Sequence, residues 1–223
     1  MINFFRKLIE LCINRFVIYK IFFGKNNILN FNPIEFMNLK KSNSERYRFT
    51  ALDYIKNQKI EKILDFGANY GFDTNVFKSL FPNSKISLYD IDENVMFYLG
   101  KINNIFFDGS LDLLDKKKFN FLTKQENCYD LIYSNAVLMY LSEKEVTNIL
   151  KKFMFMSKKY IVLHELETSK NLKKDLEDIY YVHDFTQILH SINPKIKIHK
   201  KKTLKPGKPW NQHGCVITLS NFK

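Results

Sequence analysis

The sequence lacks several features that mark common classes of protein. Cysteine occurs only three times in 223 residues, and Cys12, Cys128 and Cys215 are too far apart to suggest a metal site or a disulfide framework. A chain without predicted disulfides is typical of a reducing compartment, so we expect a cytoplasmic protein. No apolar run free of charges approaches the roughly 18–20 residues of a membrane-spanning helix. The amino-terminal residues also lack the short apolar core and cleavage site of a signal peptide, so none is expected.

Arginine is scarce, although the chain is strongly basic with a formal net charge of +12. Arginine occurs only at Arg6, Arg15, Arg46 and Arg48, and lysine supplies the rest of the positive charge. Positive charge attracts anionic partners, and the lysine-rich stretch 195–208 is an alternative site for nucleic acid. Aromatic residues do not alternate with these lysines, as binding of single-stranded nucleic acid prefers. A nucleic-acid partner is therefore an alternative that the sequence does not favour.

Residues 1–23 combine a broad apolar face with interspersed charges. The apolar positions recur at helical spacing, which predicts an amphipathic helix. Such a helix usually packs on its own domain or on a second subunit, and peripheral contact with a membrane surface is the alternative. Residues 24–44 contain asparagine, proline and serine and indicate a linker. We therefore predict a helical extension with a linker over residues 1–44 and one domain over residues 45–223.

From residue 45 onward, apolar runs alternate with helical patterns. The predicted strands span residues 62–66, 86–89, 105–107, 131–134, 160–164, 195–203 and 215–220. Helices are predicted over residues 45–57, 73–80, 93–101, 143–156, 170–180 and 184–192. The last two strands follow one another across a Pro/Gly turn, so they are expected to pair as an antiparallel hairpin. The pattern predicts an α/β fold with a mostly parallel seven-stranded sheet and an antiparallel terminal hairpin.

The most informative segment is the turn between the first two predicted strands. An apolar run ends around Asp65, Gly67 and Gly71 follow with three residues between them, and the next apolar run ends in Asp90. Glycine lets the backbone turn sharply and approach a ligand closely. An acid at the end of the second strand can accept hydrogen bonds from ribose hydroxyls. The segment therefore predicts a site for an adenosyl group.

The spacing in this turn excludes some adenosyl ligands. A dinucleotide site has three glycines in the order G-x-G-x-x-G, but Asn69 stands in place of the second and no glycine follows Gly71 in the third role. The lysine-bearing loop of nucleotide triphosphatases is absent. Asp65 before the first glycine is also unusual for a nicotinamide site. The turn thus points away from dinucleotides and from nucleoside triphosphates.

In the order of its motifs, the chain resembles the class I S-adenosylmethionine-dependent methyltransferases. Their glycine motif, two apolar residues followed by Asp-x-Gly-x-x-x-Gly, is matched by residues 63–71. Their acid at the end of the second strand is matched by Asp90, and their fourth strand with its turn is matched by residues 130–138. The resemblance extends over residues 45–220 and implies a Rossmann-like fold with S-adenosyl-L-methionine as cofactor.

The resemblance also implies which residues hold the cofactor. Asp65 would lie close to the cofactor ammonium, Asp90 would bind both ribose hydroxyls, and Asp108 after the third strand would meet the adenine amine. The residues implied in cofactor binding are Asp65, Gly67, Ala68, Asn69, Gly71, Asp90, Ile91, Asp108, Asn135 and Ala136. No metal ligand is implied.

The segments after the fourth strand and along the fifth bear on the acceptor. Residues 137–142 and 158–165 are similar to methyltransferases that act on small molecules and on sugars. The Asn-Pro-Pro-Tyr motif of enzymes that methylate the adenine amine is absent. We therefore expect a small-molecule acceptor, with a hydroxyl of a sugar or glycan precursor as the methylated group. The alternatives are an RNA methyltransferase that uses the C-terminal lysines and a non-catalytic binding module with this fold.

An alcohol acceptor needs a base within hydrogen-bond reach, whereas the departing thioether needs no acid. The predicted catalytic residues are His164 and Glu165 at the end of the fifth strand and Tyr140, which stands where related enzymes often have histidine. Arg46 or Arg48 could grip a carboxylate or a phosphate.

Overall fold

Seven strands form a single sheet in the computed structural model, which describes residues 45–69, 71–107, 109–168, 180–203, 205 and 210–220. The strands are β1 (Lys62–Phe66), β2 (Lys85–Tyr89), β3 (Asp112–Leu114), β4 (Tyr129–Asn135), β5 (Ser157–Leu166), β6 (Lys197–Lys202) and β7 (Gly214–Ser220). Their order across the sheet is β3-β2-β1-β4-β5-β7-β6. Strand β7 runs antiparallel to both β5 and β6, and the remaining pairs are parallel. The predicted fold class is confirmed, including the antiparallel terminal hairpin.

Helices cover both faces of the sheet and bury it on each side. They are α1 (Glu45–Ala51), α2 (Thr74–Leu80), α3 (Glu93–Phe106), α4 (Lys116–Leu122), α5 (Glu143–Met156), α6 (Phe185–Ile192) and α7 (Trp210–His213), with a 3₁₀ turn at Leu138–Tyr140. Successive strand residues join different apolar clusters: Ile63 packs with residues of α1 and α2, whereas Leu64 packs with residues of α5 and α6. Because both faces are covered, the central strands are almost continuously apolar. The arrangement leaves the carboxyl ends of β1, β2, β4 and β5 along one edge of the sheet, where ligands bind in folds of this type.

The third strand lies at a different position from the one predicted. Residues 105–107 were expected to form it, but α3 extends to Phe106 and β3 occupies Asp112–Leu114. A strand of three residues has too few positions to show a periodic pattern. The buried Asn103 side chain stabilises the observed arrangement, because its amide exchanges two hydrogen bonds of 3.0 Å with the backbone of Leu111 just before β3.

Two other predictions differ from the structure or lie outside it. The first helix was expected to reach residue 57 but ends at Ala51, and residues 52–57 form turns. The predicted extension over residues 1–44, with its proposed membrane contact through residues 1–23, lies outside the described residues, as does most of the helix predicted over 170–180. Within the described ranges, no helix is long and apolar enough to cross a membrane.

Candidate cofactor and acceptor site

The glycine turn after β1 adopts a backbone that explains its residue types. Gly67, Asn69 and Gly71 have positive φ angles of 74°, 48° and 72°, a region in which glycine is unstrained and asparagine is tolerated. The N–H groups of Gly67 and Ala68 donate to the carbonyl oxygen of Tyr89 at 2.8 and 3.0 Å, which ties the turn to the end of β2. Asn69 therefore meets the same backbone requirement as the glycine that a dinucleotide motif would place there.

The Asp90 carboxylate at the end of β2 is held against this turn. Its Oδ2 accepts a hydrogen bond from the N–H of Asn69, and its Oδ1 accepts one from the N–H of Asp92, each at 3.0 Å. The neighbouring Ile91 side chain is 74% exposed and follows this acid directly. An acid beside a left-handed turn, followed by an uncovered apolar side chain, offers partners for both a ribose and an adenine.

The expectation that Asp108 follows the third strand is wrong, whereas its assignment to the adenine stays a prediction. Asp108 itself lies outside the described residues, but it precedes β3 instead of following it, since β3 spans Asp112–Leu114. The acid that follows this strand is Asp115, whose side chain accepts a hydrogen bond of 2.6 Å from the N–H of Lys118 and caps α4.

Asp65 is a buried acid with unused hydrogen-bonding capacity. The residue is 1% exposed, and its Oδ2 has no hydrogen-bond partner in the described part of the chain. Burial, and then the nearby Asp73 carboxylate, raise the pKa of Asp65 well above its usual value. Buried polar atoms are nearly always paired, so a ligand that donates hydrogen bonds or brings a positive charge would satisfy this one. That observation fits the ammonium group that the resemblance places beside Asp65.

A second acid, Asp73, connects three elements near this site. Its Oδ1 pairs with Nη1 of Arg48 on α1 at 2.5 Å, and its Oδ2 accepts a hydrogen bond of 3.1 Å from Nδ2 of Asn135 at the end of β4. Burial alone would lower the pKa of Arg48, but the Asp73 carboxylate overrides it and raises that pKa. Arg48, predicted to grip a ligand anion, is thus already paired within the chain, and the side chain of Arg46 lies outside those described. The sequence analysis missed Asp73, although its position directly before a helix was a usable signal.

Glu165 supports the loop that follows β4. Its Oε1 accepts hydrogen bonds from the hydroxyl of Ser134 and from the N–H groups of Val137 and Leu138, at 2.9, 3.0 and 3.1 Å. Ala136 in this loop has a φ of 60°, so the loop needs such support to hold a strained residue. Burial raises the pKa of Glu165, which is 0% exposed. These contacts give Glu165 a structural role, and they do not support the predicted role as a base.

His164 is also buried, but it faces the opposite side of the sheet. Its Nε2 lies 2.5 Å from Oγ1 of Thr203, and its ring centroid lies 5.1 Å from that of Trp210 and 5.4 Å from that of Tyr47. Burial, followed by repulsion from Lys205 and Arg48, lowers the pKa of His164 to about 3. The imidazole is therefore neutral at physiological pH and has little tendency to take up a proton.

Tyr140 is the most accessible of the three predicted catalytic residues. It ends the 3₁₀ turn that follows β4, is 40% exposed, and packs edge-on against Tyr180 with ring centroids 5.5 Å apart. Its position beyond the carboxyl end of β4 is compatible with contact to an acceptor. The catalytic assignment of Tyr140 stays a prediction.

Acidification is expected to destabilise the protein through His164. The unfolded chain takes up a proton near pH 6.5, whereas the folded chain does so only near pH 3. The stabilising contribution is therefore complete above pH 6.5 and is lost as the pH falls below that value, by about 1.4 kcal/mol per pH unit. Urea unfolding at pH 7 and pH 5.5 should show a larger loss for the wild type than for His164→Gln. Equal losses in the two proteins would contradict the assignment.

The structure places Lys205 and Trp210 beside His164, whereas the sequence suggested only that Lys205, within the stretch 195–208, could contact nucleic acid. The Nζ of Lys205 lies 3.6 Å from the centroid of the Trp210 ring and 5.5 Å from that of Tyr47. The N–H of Lys205 donates to Oγ1 of Thr203 at 3.1 Å, which links this lysine to His164. Burial, and then the charge of Arg48, lower the pKa of Lys205 to about 8.

The lysine-rich strand β6 lies apart from the glycine turn, at the far edge of the sheet. Lys200 pairs with Glu167, and Lys201 pairs with Asp53 at 2.8 Å. Two of its cations are thus already neutralised within the chain, and nucleic-acid binding by this strand stays an alternative from the sequence. Among all the described residues, no group of three or more His, Cys, Asp or Glu side chains is arranged to hold a metal ion.

Comparisons with known proteins bear on the fold. No protein-family model matches the chain, and no curated protein matches it in sequence. Among solved structures, human N-acetylserotonin methyltransferase in complex with S-adenosylmethionine superposes with a TM-score of 0.59 at 17% identity, over 82% of this chain and 52% of that one. The mitomycin 7-O-methyltransferase MmcR gives 0.59 at 11% identity, over 79% and 53%. A methyltransferase from Aquifex aeolicus that depends on S-adenosylmethionine gives 0.55 at 17% identity, over 85% and 98%.

The chain spans about half the length of the first two of these proteins and nearly all of the third. At such low identity the likeness concerns the fold alone. The fold is that of the class I S-adenosylmethionine-dependent methyltransferases, as the order of the sequence motifs predicted.

Proposed function

We propose that this chain is a methyltransferase that uses S-adenosyl-L-methionine to methylate a small-molecule acceptor. The observation that carries the proposal is the left-handed turn at Gly67–Gly71 with the Asp90 carboxylate against it, at the carboxyl edge of the sheet. The unpartnered Oδ2 of Asp65 adds a place for a ligand cation beside the same turn. These features lie in the order along the chain that the resemblance requires.

The residues of the site fit this cofactor, and each would contact a different part of it. S-Adenosylmethionine, when bound, supplies an electrophilic methyl group and a thioether leaving group. Asp90 would orient the ribose, Ile91 would cover the adenine, and Asp65 would attract the ammonium group. Asn135 and Ala136, at the end of β4, would form the floor of the site beneath the methyl-bearing end. Since the thioether leaves without a proton, this chain would act chiefly by positioning the two reactants.

Removal of the Asp90 carboxylate should abolish tight binding of S-adenosylhomocysteine. Two hydrogen bonds from ribose hydroxyls to a charged acceptor contribute about 3 kcal/mol, which corresponds to a loss of about 100-fold in affinity. Isothermal titration calorimetry of Asp90→Ala against the wild type measures this loss. Asp184→Ala is the matched control, because Asp184 also accepts a backbone hydrogen bond, of 2.9 Å from Gln187, but caps the distant helix α6.

The outcomes of this experiment separate the rival functions. If Asp90→Ala binds S-adenosylhomocysteine as tightly as the wild type does, Asp90 does not contact the cofactor. A stably folded wild type that does not bind S-adenosylhomocysteine would instead favour the non-catalytic binding module.

For the acceptor, we propose only its chemical class, a small molecule. A small-molecule acceptor is supported by the likeness to MmcR, an O-methyltransferase by name, and by the absence of the motif of adenine-amine methyltransferases. We therefore favour transfer to a hydroxyl oxygen. None of the compared structures points to a sugar, so the sugar or glycan precursor remains a prediction from the sequence alone.

A further inference from the structure

Lys205 is a partly buried cation without an anion. Among the described residues, its Nζ forms no hydrogen bond and no ion pair, and its nearest ring contact is the face of Trp210 at 3.6 Å. By contrast, Lys200 and Lys201 on the preceding strand both pair with carboxylates. Among the described residues, Lys205 keeps part of its surface exposed.

The surroundings of Lys205 make an anion favourable there. The ammonium group has three donors, and an aromatic face satisfies only one side of it. The titratable or charged groups around it are Tyr47, Arg48, Asp73, His164 and Glu165. Of the two carboxylates, Asp73 is paired with Arg48, and Oε1 of Glu165 is engaged by the loop after β4. Both carboxylates thus already have partners within the chain, and neither forms an ion pair with Lys205, so the ammonium group has donors left for an anion.

We propose that Lys205, Trp210 and Tyr47 form a subsite that binds an anionic group, a carboxylate or a phosphate, of the methyl acceptor. The assignment to the acceptor rests on the proposed methyltransferase function. The ammonium of Lys205 supplies the charge, and the two rings hold it in place and exclude water from one side.

The location of the cluster favours the acceptor over the cofactor. The cluster is built on α1, on β5 through His164, and on the β6–β7 connection. Asp90 marks the adenosine end of the cofactor site at β2, and β5 is three strands away, about 14 Å at the usual strand spacing. An acceptor must approach the methyl group from the side remote from adenosine, which is the side of β5 and β7.

The only tryptophan of the chain lies in this subsite, so its fluorescence reports directly on it. The protein saturated with S-adenosylhomocysteine is titrated with inorganic phosphate and, separately, with acetate. We expect a saturable change in Trp210 fluorescence, weakened at least tenfold in Lys205→Met and largely retained in Lys205→Arg. Lys202→Met, which removes an exposed lysine of β6, is the matched control and should behave as the wild type.

A pH titration gives an independent measurement on the same signal. Trp210 fluorescence should show an inflection near pH 8 in the wild type, where Lys205 loses its proton. Phosphate should move this inflection to higher pH, because a bound anion stabilises the ammonium form. Lys205→Met should lack the inflection.

Three results would overturn the proposal. If neither phosphate nor acetate changes the Trp210 fluorescence, the subsite does not exist. If Lys202→Met weakens anion binding as much as Lys205→Met does, the general positive charge of the region is responsible. Weaker binding of S-adenosylhomocysteine in Lys205→Met, with phosphate binding unchanged, would assign the lysine to the cofactor's own carboxylate. If the wild type binds no S-adenosylhomocysteine, the proposed function fails, whereas the anion titration without it still reports on the subsite itself.

Discussion

Gly67→Ala is expected to cause the largest loss of stability of any single methyl addition in the glycine turn. A Cβ at this position would lie 2.2 Å from Cγ2 of Val137 and 3.0 Å from its Cγ1, and the φ of 74° already disfavours a side chain. Backbone strain costs about 1 kcal/mol, and overpacking adds about 1–3 kcal/mol. We expect a loss of about 3 kcal/mol, or about 10 °C in melting temperature, together with loss of binding to S-adenosylhomocysteine. Thermal unfolding and calorimetry measure the two effects.

Two control variants divide this loss into its causes. Gly109 has a φ of 69°, but a Cβ there would meet nothing closer than Oδ1 of Asn104 at 3.8 Å. Gly109→Ala therefore carries the backbone strain without the clash and should cost only about 1 kcal/mol. The double variant Gly67→Ala/Val137→Ala removes the clashing methyl groups and should recover part of the loss. If Gly67→Ala were as mild as Gly109→Ala, the close approach of the turn to Val137 would not exist.

Arg48→Met is expected to have the second large effect, because it leaves the Asp73 carboxylate without its cation. Both side chains are largely buried, at 14% and 11% exposure. Breaking a buried pair by removing one partner costs about 3–5 kcal/mol, since the other charge is left uncompensated. Urea unfolding at neutral pH should show a loss near the lower end of this range, because Asn135 still donates a hydrogen bond to Asp73.

A double variant and an exposed ion pair test this interpretation. Arg48→Met/Asp73→Asn removes both charges and should restore most of the stability lost in Arg48→Met. The pair between Lys118 and Asp112 is 49% and 46% exposed, so Lys118→Met should cost less than about 1 kcal/mol. A cost for Arg48→Met no greater than that for Lys118→Met would show that the Arg48–Asp73 pair is solvated.

The parts of the fold and site that could be predicted from the sequence are those that local backbone requirements determine. Gly67 and Gly71 were recognisable because a left-handed turn between two strands demands residues without a large side chain. Asp90 was recognisable because it ends a short apolar run. The strand β3 was misplaced because three residues show no period.

Side-chain environments that depend on distant elements could not be predicted. His164 and Glu165 are adjacent on β5 and both were expected at the site, but successive strand residues face opposite sides of the sheet. One therefore packs against Trp210 and the other supports the loop after β4. Lys205 contacts Tyr47 only when the terminal hairpin and α1 pack on the same face of the sheet. Because these residues are far apart in the sequence, no local pattern predicts this contact.

Strand β6 also accounts for much of the positive charge of the carboxyl-terminal region. It forms an outer edge of the described sheet, with one row of backbone groups unpaired, and Lys197, Lys200, Lys201 and Lys202 are exposed along it. Lysines on an edge strand oppose the pairing of that edge with another copy of the chain, because the like charges repel. The lysines that suggested a nucleic-acid partner thus have a use that needs no ligand: Lys197 and Lys202, which form no ion pair among the described residues, would disfavour aggregation by edge-to-edge pairing of sheets.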